Sequence, residues 1–161
     1  MRYSLMDKFL WCIKKNAFEI VLPNENLSKA YLMKAKDALI AAGANISKEW
    51  RISAAYYSMY FSLYSILMRI GVKCENHSCT LAFTGRFLKN YFSETDMEFL
   101  NASLKARIDA QYYVNRKVSD KQYEDMLKLA PQISVKCKSI TEQLTEEDIG
   151  AIRSNLLKMI A

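Results

Sequence analysis

The chain has 161 residues, of which 51% are apolar and 25% charged, and a formal net charge of +6. That length suits one domain able to bury roughly two-thirds of the surface its unfolded form exposes, while four glycines and two prolines leave few places to turn, which argues against a turn-rich β architecture and for long helices. The charge would help an encounter with an acidic partner such as nucleic acid, yet no Lys/Arg run exceeds two residues, so the field is diffuse.

Residues 3 to 20 read as a leading helix that ends at the break "LPNEN". Asp7 and Lys8 fall where a signal peptide needs an unbroken apolar core, and Cys12, Cys74, Cys79 and Cys137 form no even disulfide framework, so a reducing cytoplasm is the expected setting. Next, Leu27, Tyr31, Ala35, Ala38 and Ala42 recur at spacings of three and four, with Gly43 placed to supply a left-handed stop. The segment "SKEWRISAAYYSMYFSLYSILMRIG" is apolar on nearly every face, carries Arg69 near its carboxyl end and closes at Gly71. Its uncharged run, Ile52 to Met68, falls short of the ~20 apolar residues that span a bilayer and contains four tyrosines and four serines. It reads as a helix buried between others.

Ser78 to Phe92 makes a further helix, with Leu81, Gly85, Leu88 and Phe92 on one side. Three later starts have capping-box spelling: Ser93 with Asp96, Ser119 with Gln122, Thr145 with Asp148. Behind them lie the stripes Met97, Leu100, Leu104, Ile108; Tyr123, Leu127, Ala130, Cys137, Leu144; and Ile149, Ile152, Leu156, Ile160. Pro131 lies inside the second stripe and predicts a kink near 128–131. No alternating strand pattern of useful length occurs, so the fold class is all-α, an antiparallel helical bundle forming a single domain over 1–161.

Within "SAAYYSMYFSLY", Tyr56, Tyr60 and Tyr64 stand four apart, with Tyr57 and Phe61 on the adjacent face. Such a ladder can stack nucleobases, but rings at helical spacing are more often core with their hydroxyls at its edge. The core reading is preferred.

Together, "LSKAYLMKAKDALIAAG", "RISAAYYSMYFSLYSILMRIGVKCENHS" and "ARIDAQYY" followed by a capped helix resemble the HEPN (higher eukaryotes and prokaryotes nucleotide-binding) domain family. The match is best to the small stand-alone prokaryotic proteins often encoded beside a minimal nucleotidyltransferase. The resemblance covers residues 24–142, leaving 1–23 and 145–161 as helical extensions. It implies a HEPN-type bundle, commonly a homodimer, acting in toxin–antitoxin, defence or RNA-processing settings. Active members carry an arginine followed after four to six residues by a histidine, and pairs of these across the dimer cleave RNA without metal. Arginine can stabilise charge on the scissile phosphate while a histidine near neutrality moves the proton of the attacking hydroxyl.

Arg107 matches that arginine, but five residues on stands Tyr112, whose ordinary pKa near 10 makes it a poor base. Relatives of the non-nuclease type resemble Arg-x-x-Ala-Asp-Tyr; here Arg107, Ala110, Gln111 and Tyr112 differ by Gln for Asp. At about 100° per residue Arg107 and Gln111 share a face, while Tyr112 falls some 140° away with Ile108 and Leu104 and is expected to be buried. Three roles stand for Arg107: a bond to helix ends or a partner's acids, a contact to a ligand or RNA phosphate, or half of a nuclease centre. His77, the only histidine, precedes Ser78 at a helix start, which favours capping or loop-fixing over service as a substitute base for Arg107. Cys74, His77 and Cys79 could be soft metal ligands, but zinc wants four, and Cys12 and Cys137 sit in apolar stripes, so no metal and no cofactor is expected.

The resulting expectation is a cytoplasmic, homodimeric HEPN binding or regulatory protein that partners a nucleotidyltransferase, takes RNA or nucleotide on Arg107, Gln111 and Tyr112, needs no membrane and lacks catalysis. The alternative is a divergent metal-independent RNase using Arg107 with His77 or Tyr112, and a purely structural adaptor would share the same fold. No phosphate loop, dinucleotide glycines or nucleophile elbow appears.

Overall fold

The computed structural model describes residues 4–161, with Leu5 by its backbone only. Seven helices and one two-stranded ribbon follow in the order α1 (Leu5–Lys14), β1 (Glu19–Ile20), α2 (Glu25–Ala42), α3 (Lys48–Ile70), β2 (Val72–Lys73), α4 (His77–Phe87), α5 (Glu94–Tyr112), α6 (Asp120–Gln143) and α7 (Glu146–Ile160). The helical class therefore holds. No described helix is long and apolar enough to cross a membrane.

The apolar α3 is the axis of the bundle, packed against α2, α5 and α6, with Tyr56, Met59, Leu63, Ile66 and Leu67 all but inaccessible. Its serines admit close neighbours. Ser28 of α2 donates to the Ser65 carbonyl at 2.7 Å, and the Ser62 and Ser134 hydroxyls meet at 2.9 Å between α3 and α6. Arg51 reaches back to the Ala42 carbonyl, so α2 and α3 run antiparallel. Lys48 with Asp120 and Ser62 with Ser134 keep one constant offset of 72 residues, so α3 and α6 run in the same direction. An up-down-up-down count of α2, α3, α5 and α6 requires that.

Helix ends follow their capping chemistry. Ser93 with Asp96 and Thr145 with Asp148 form full boxes. Ser119 accepts from the Gln122 amide, but the Gln122 side chain turns away to the Ala102 carbonyl, leaving half a box. An additional full box, Ser4 with Asp7, opens α1. Gly71 adopts φ 85°, the left-handed stop, in a crowded place: an added Cβ would lie 2.5 Å from the Val21 carbonyl and against Arg153. Gly43, by contrast, ends α2 in right-handed geometry at φ −86°, contrary to the expected left-handed stop, because its amide bonds straight back to Leu39 and Ile40. Helix α6 runs through Pro131 as one α-helix.

Four further expectations need correction. The helix expected over Ser78 to Phe92 runs instead from His77 to Phe87, and residues 88–92 form the turn after it. The leading helix does not reach residue 20: it stops at Lys14, Asn16 turns with positive φ, and Glu19–Ile20 pairs antiparallel with Val72–Lys73. The fully buried face of α5 is Met97, Leu100, Ser103, Ala106 and Asp109, while Leu104 and Ile108 of the expected stripe are only half-buried, because small residues and the ion-paired Asp109 take the innermost positions of its second half. Finally, Cys12 and Cys79 form a disulfide with Cα atoms 5.7 Å apart. Helix α1 and the turn after it dock on α4, Phe9 and Phe18 packing against Phe87 and Phe83, which brings together two thiols 67 residues apart.

Candidate functional site

Three elements converge beside the tyrosine ladder: the middle of α3, the first turn of α4 and the last turns of α5. Arg107 sits about one and a half turns before the end of α5 and is half-buried. One guanidinium nitrogen, Nη2, donates to the Tyr57 hydroxyl. The guanidinium carbon lies 5.0 Å from the Tyr57 ring centre, 5.9 Å from that of Tyr56 and 5.7 Å from that of Tyr112. Its Nε is buried without a partner, and no carboxylate among the described residues pairs with it. The nearest acid in sequence, Asp109, is already taken. Lys105 first, and Arg116 after it, hold that carboxyl below its usual range against the opposing effect of desolvation. Arg107 is thus a caged cation with unspent donors, in which attraction to ring faces stands in for a counter-ion.

His77 belongs to the same cluster. Asn76, not His77 or Ser78, caps α4, accepting from the Cys79 amide and the Ser78 hydroxyl. That overturns the capping role. The imidazole stacks on Tyr60 with ring centres 3.9 Å apart and planes within 4°, and its Nδ1 lies 2.8 Å from the Tyr56 hydroxyl. Burial pushes the Tyr56 hydroxyl far above its ordinary value, so it keeps its proton, and Nδ1 is its only hydrogen-bond partner. The tautomer is assigned accordingly: Tyr56 donates to Nδ1, and Nε2 carries the hydrogen. Burial, followed by the nearby Arg107 charge, pushes the imidazole down to about 4. At neutral pH it is an uncharged donor whose lone pair is already engaged.

Tyr112 is 63% exposed, contrary to the expected burial. It is the last residue of α5, where no further helix covers that face, and its ring folds over the Arg107 guanidinium instead. Gln111 is exposed and, with Tyr112, lines a cleft of about 700 Å³ between the start of α3 and the loop at 113–119. The loop is fixed on both sides. Lys48 donates to the Val118 carbonyl and pairs with Asp120, each at 2.9 Å, while Arg116 bonds Asp109 and lies 3.7 Å from the Tyr113 ring centre. Ser53, one turn before Tyr57, leaves another buried oxygen without a partner.

The structure therefore brings Arg107, Tyr112 and His77 around Tyr56 and Tyr57, with Gln111 on the adjoining cleft. The sequence suggested Tyr56, Tyr57 and Tyr60 as a base-stacking ladder but favoured the core for them. Their four-residue ladder was the available signal, and it is satisfied equally by core packing. Cys74, His77 and Cys79 do not converge on one point: Cys79 is bonded to Cys12, the Cys74 thiol faces the Asn76 carbonyl, and His77 faces Tyr56. Among the described residues no group of three or more His, Cys, Asp or Glu is placed to hold a metal ion.

The fold and the site together define the class as an all-α bundle that holds an arginine and a neutral imidazole on one aromatic pair. The chain belongs to the HEPN domain family, whose model matches residues 28–140, well over half of its length. Helices α1 and α7 lie outside that match. No curated protein matches the chain. Family membership supports a nucleotide- or RNA-related role.

Proposed function

We propose that the protein is a HEPN binding and regulatory module that receives a phosphate of RNA or a nucleotide at Arg107, Gln111 and Tyr112 and performs no catalysis itself. The observation that carries this reading is the Arg107 guanidinium: unpaired, caged by three aromatic rings, with a buried Nε left free. A phosphate oxygen would satisfy those donors, and the Nε2–H of His77 could add another. The same chemistry argues against a nuclease. A base must accept a proton, and His77 has its lone pair engaged by Tyr56 and an acidity near 4.

The family resemblance supports a homodimer beside a minimal nucleotidyltransferase in a toxin–antitoxin-like unit, and Asp7 and Lys8, which interrupt a signal-peptide core, support the cytoplasm. Tyr112 at 63% exposure and a fully exposed Val114 line the cleft and supply the apolar surface a twofold contact would use. The Cys12 and Cys79 sulfurs are inaccessible, so cytoplasmic thiols would reach the bond only when α1 lifts from α4.

The proximity of His77 to Arg107 through Tyr56 and Tyr57 favours one second reading, a divergent metal-independent RNase. One experiment separates the two. Labelled single-stranded RNA is titrated and incubated with the purified protein in chelator, alongside Arg107→Ala and His77→Ala. The binding reading expects intact RNA and a loss of affinity of about tenfold or more in Arg107→Ala. Cleavage abolished by both substitutions would establish the RNase instead.

A further inference from the structure

A second groove, of about 490 Å³, lies where the end of α4 and the turn after it meet α7. Arg86, Lys89 and Lys158 line it and no acid does. All three are exposed and none forms an ion pair among the described residues, whereas Lys29, Lys48, Lys105 and Lys136 each do. Arg86 and Lys158 stand in the last turns of α4 and α7, where the helix dipole favours a cation without using its donors. The floor is apolar: Phe87, Ile152 and Met159, each half-buried. Helix α7 lies outside the residues that match the family, and it supplies Ile152, Lys158 and Met159 of this groove.

We propose that the groove docks an acidic amphipathic helix of a partner protein, with its apolar face on Phe87, Ile152 and Met159 and its carboxylates on Arg86, Lys89 and Lys158. Three unpaired cations around one hollow repel each other and gain only from an acidic occupant. The floor decides which kind. Nucleic acid calls for successive stacking faces along a cationic groove, whereas Phe87 is the one ring lining this floor and Ile152 and Met159 beside it are aliphatic. An amphipathic helix presents apolar side chains at three- and four-residue spacing with acids beside them, matching a greasy floor under a cationic rim. This inference does not depend on Arg107.

The full chain is titrated with three labelled probes: a peptide alternating leucine and glutamate at amphipathic helical spacing, a shuffled peptide of the same composition, and a single-stranded RNA. Arg86→Glu combined with Lys158→Glu is compared with Lys36→Glu combined with Lys138→Glu, an equal change of charge at exposed positions elsewhere. The amphipathic peptide is expected to bind, to bind better than the shuffled one, and to lose about tenfold or more in the first variant but less than about twofold in the second. Arg107→Ala should leave peptide binding unchanged. Failure of the peptide to bind, equal binding of the shuffled peptide, or equal weakening in both double variants would overturn the proposal. So would loss of RNA rather than peptide affinity in the first variant, which would make the groove a nucleic-acid surface. The four charge-reversed positions are exposed, and circular dichroism verifies that every variant, Arg107→Ala included, is folded.

Discussion

A single histidine carries much of the chemical distinction between a binding site and a reaction centre here. Held between Tyr60 and Tyr56, His77 is expected to titrate near 4, below its ordinary 6.5, in a carbon-13 NMR titration of its ring. The folded pKa is depressed, so the unfolded chain takes up the proton first as pH falls. The stability tied to neutral His77 is therefore complete above about 6.5 and is lost progressively toward 4. Urea unfolding of the protein and of His77→Gln should diverge across that window; a His77→Gln curve with the same slope as the parent would refute the assignment. Arg153 is a second residue whose role was invisible in sequence. Its Nη1 bonds the carbonyls of Val21, Ile70 and Gly71, at 2.6, 3.2 and 2.9 Å, and so ties α7 to the turn after α3. Arg153→Ala should cost about 2–3 kcal/mol in denaturant unfolding, since it strips charge-assisted bonds from a crowded turn. Sequence reading placed Arg107 correctly at a margin but buried Tyr112 wrongly, because angular position on a helix does not reveal where the opposing helix stops.

Helices advertise their ends locally and their neighbours hardly at all. The Ser93 and Thr145 caps were legible because a hydroxyl and an acid three residues apart have essentially one use at a helix start. The half-box at Ser119 was not, since Gln122 found a carbonyl on another helix. The α1–α4 disulfide was equally hidden, its cysteines joined only by packing of four phenylalanines. By closing a loop of 67 residues the bond restricts the unfolded chain, an effect of about 4 kcal/mol in the chain-entropy account. Cys12→Ser should therefore lower the denaturation midpoint, and adding reductant to the parent should reproduce the shift; equal midpoints in all three states would show that the bond contributes nothing. Pro131 gives the opposite case. Exposed and within continuous α6, it lacks the amide that would bond one turn back, so Pro131→Ala should raise the melting temperature.

At the scale of the molecule, helix count, order and the central place of α3 were readable because a 3.6-residue apolar period survives any tertiary detail. The meeting of α4 with α5 across α3 was not readable, and it is this meeting that puts His77 and Arg107 on one aromatic pair. The proposed dimer rests on the same corner. Tyr112, Tyr113 and Val114 expose more apolar surface along the cleft than a lone domain benefits from, and a twofold contact there would bring together the two α5 ends that carry Arg107. If so, oligomeric state and RNA affinity are coupled. Val114→Asp, at a fully exposed position, should leave helicity intact, convert the dimer to a monomer in light scattering, and weaken RNA binding although it removes no cation. A monomeric parent protein, or a monomeric variant that binds RNA as tightly as the dimer, would show that each Arg107 works alone.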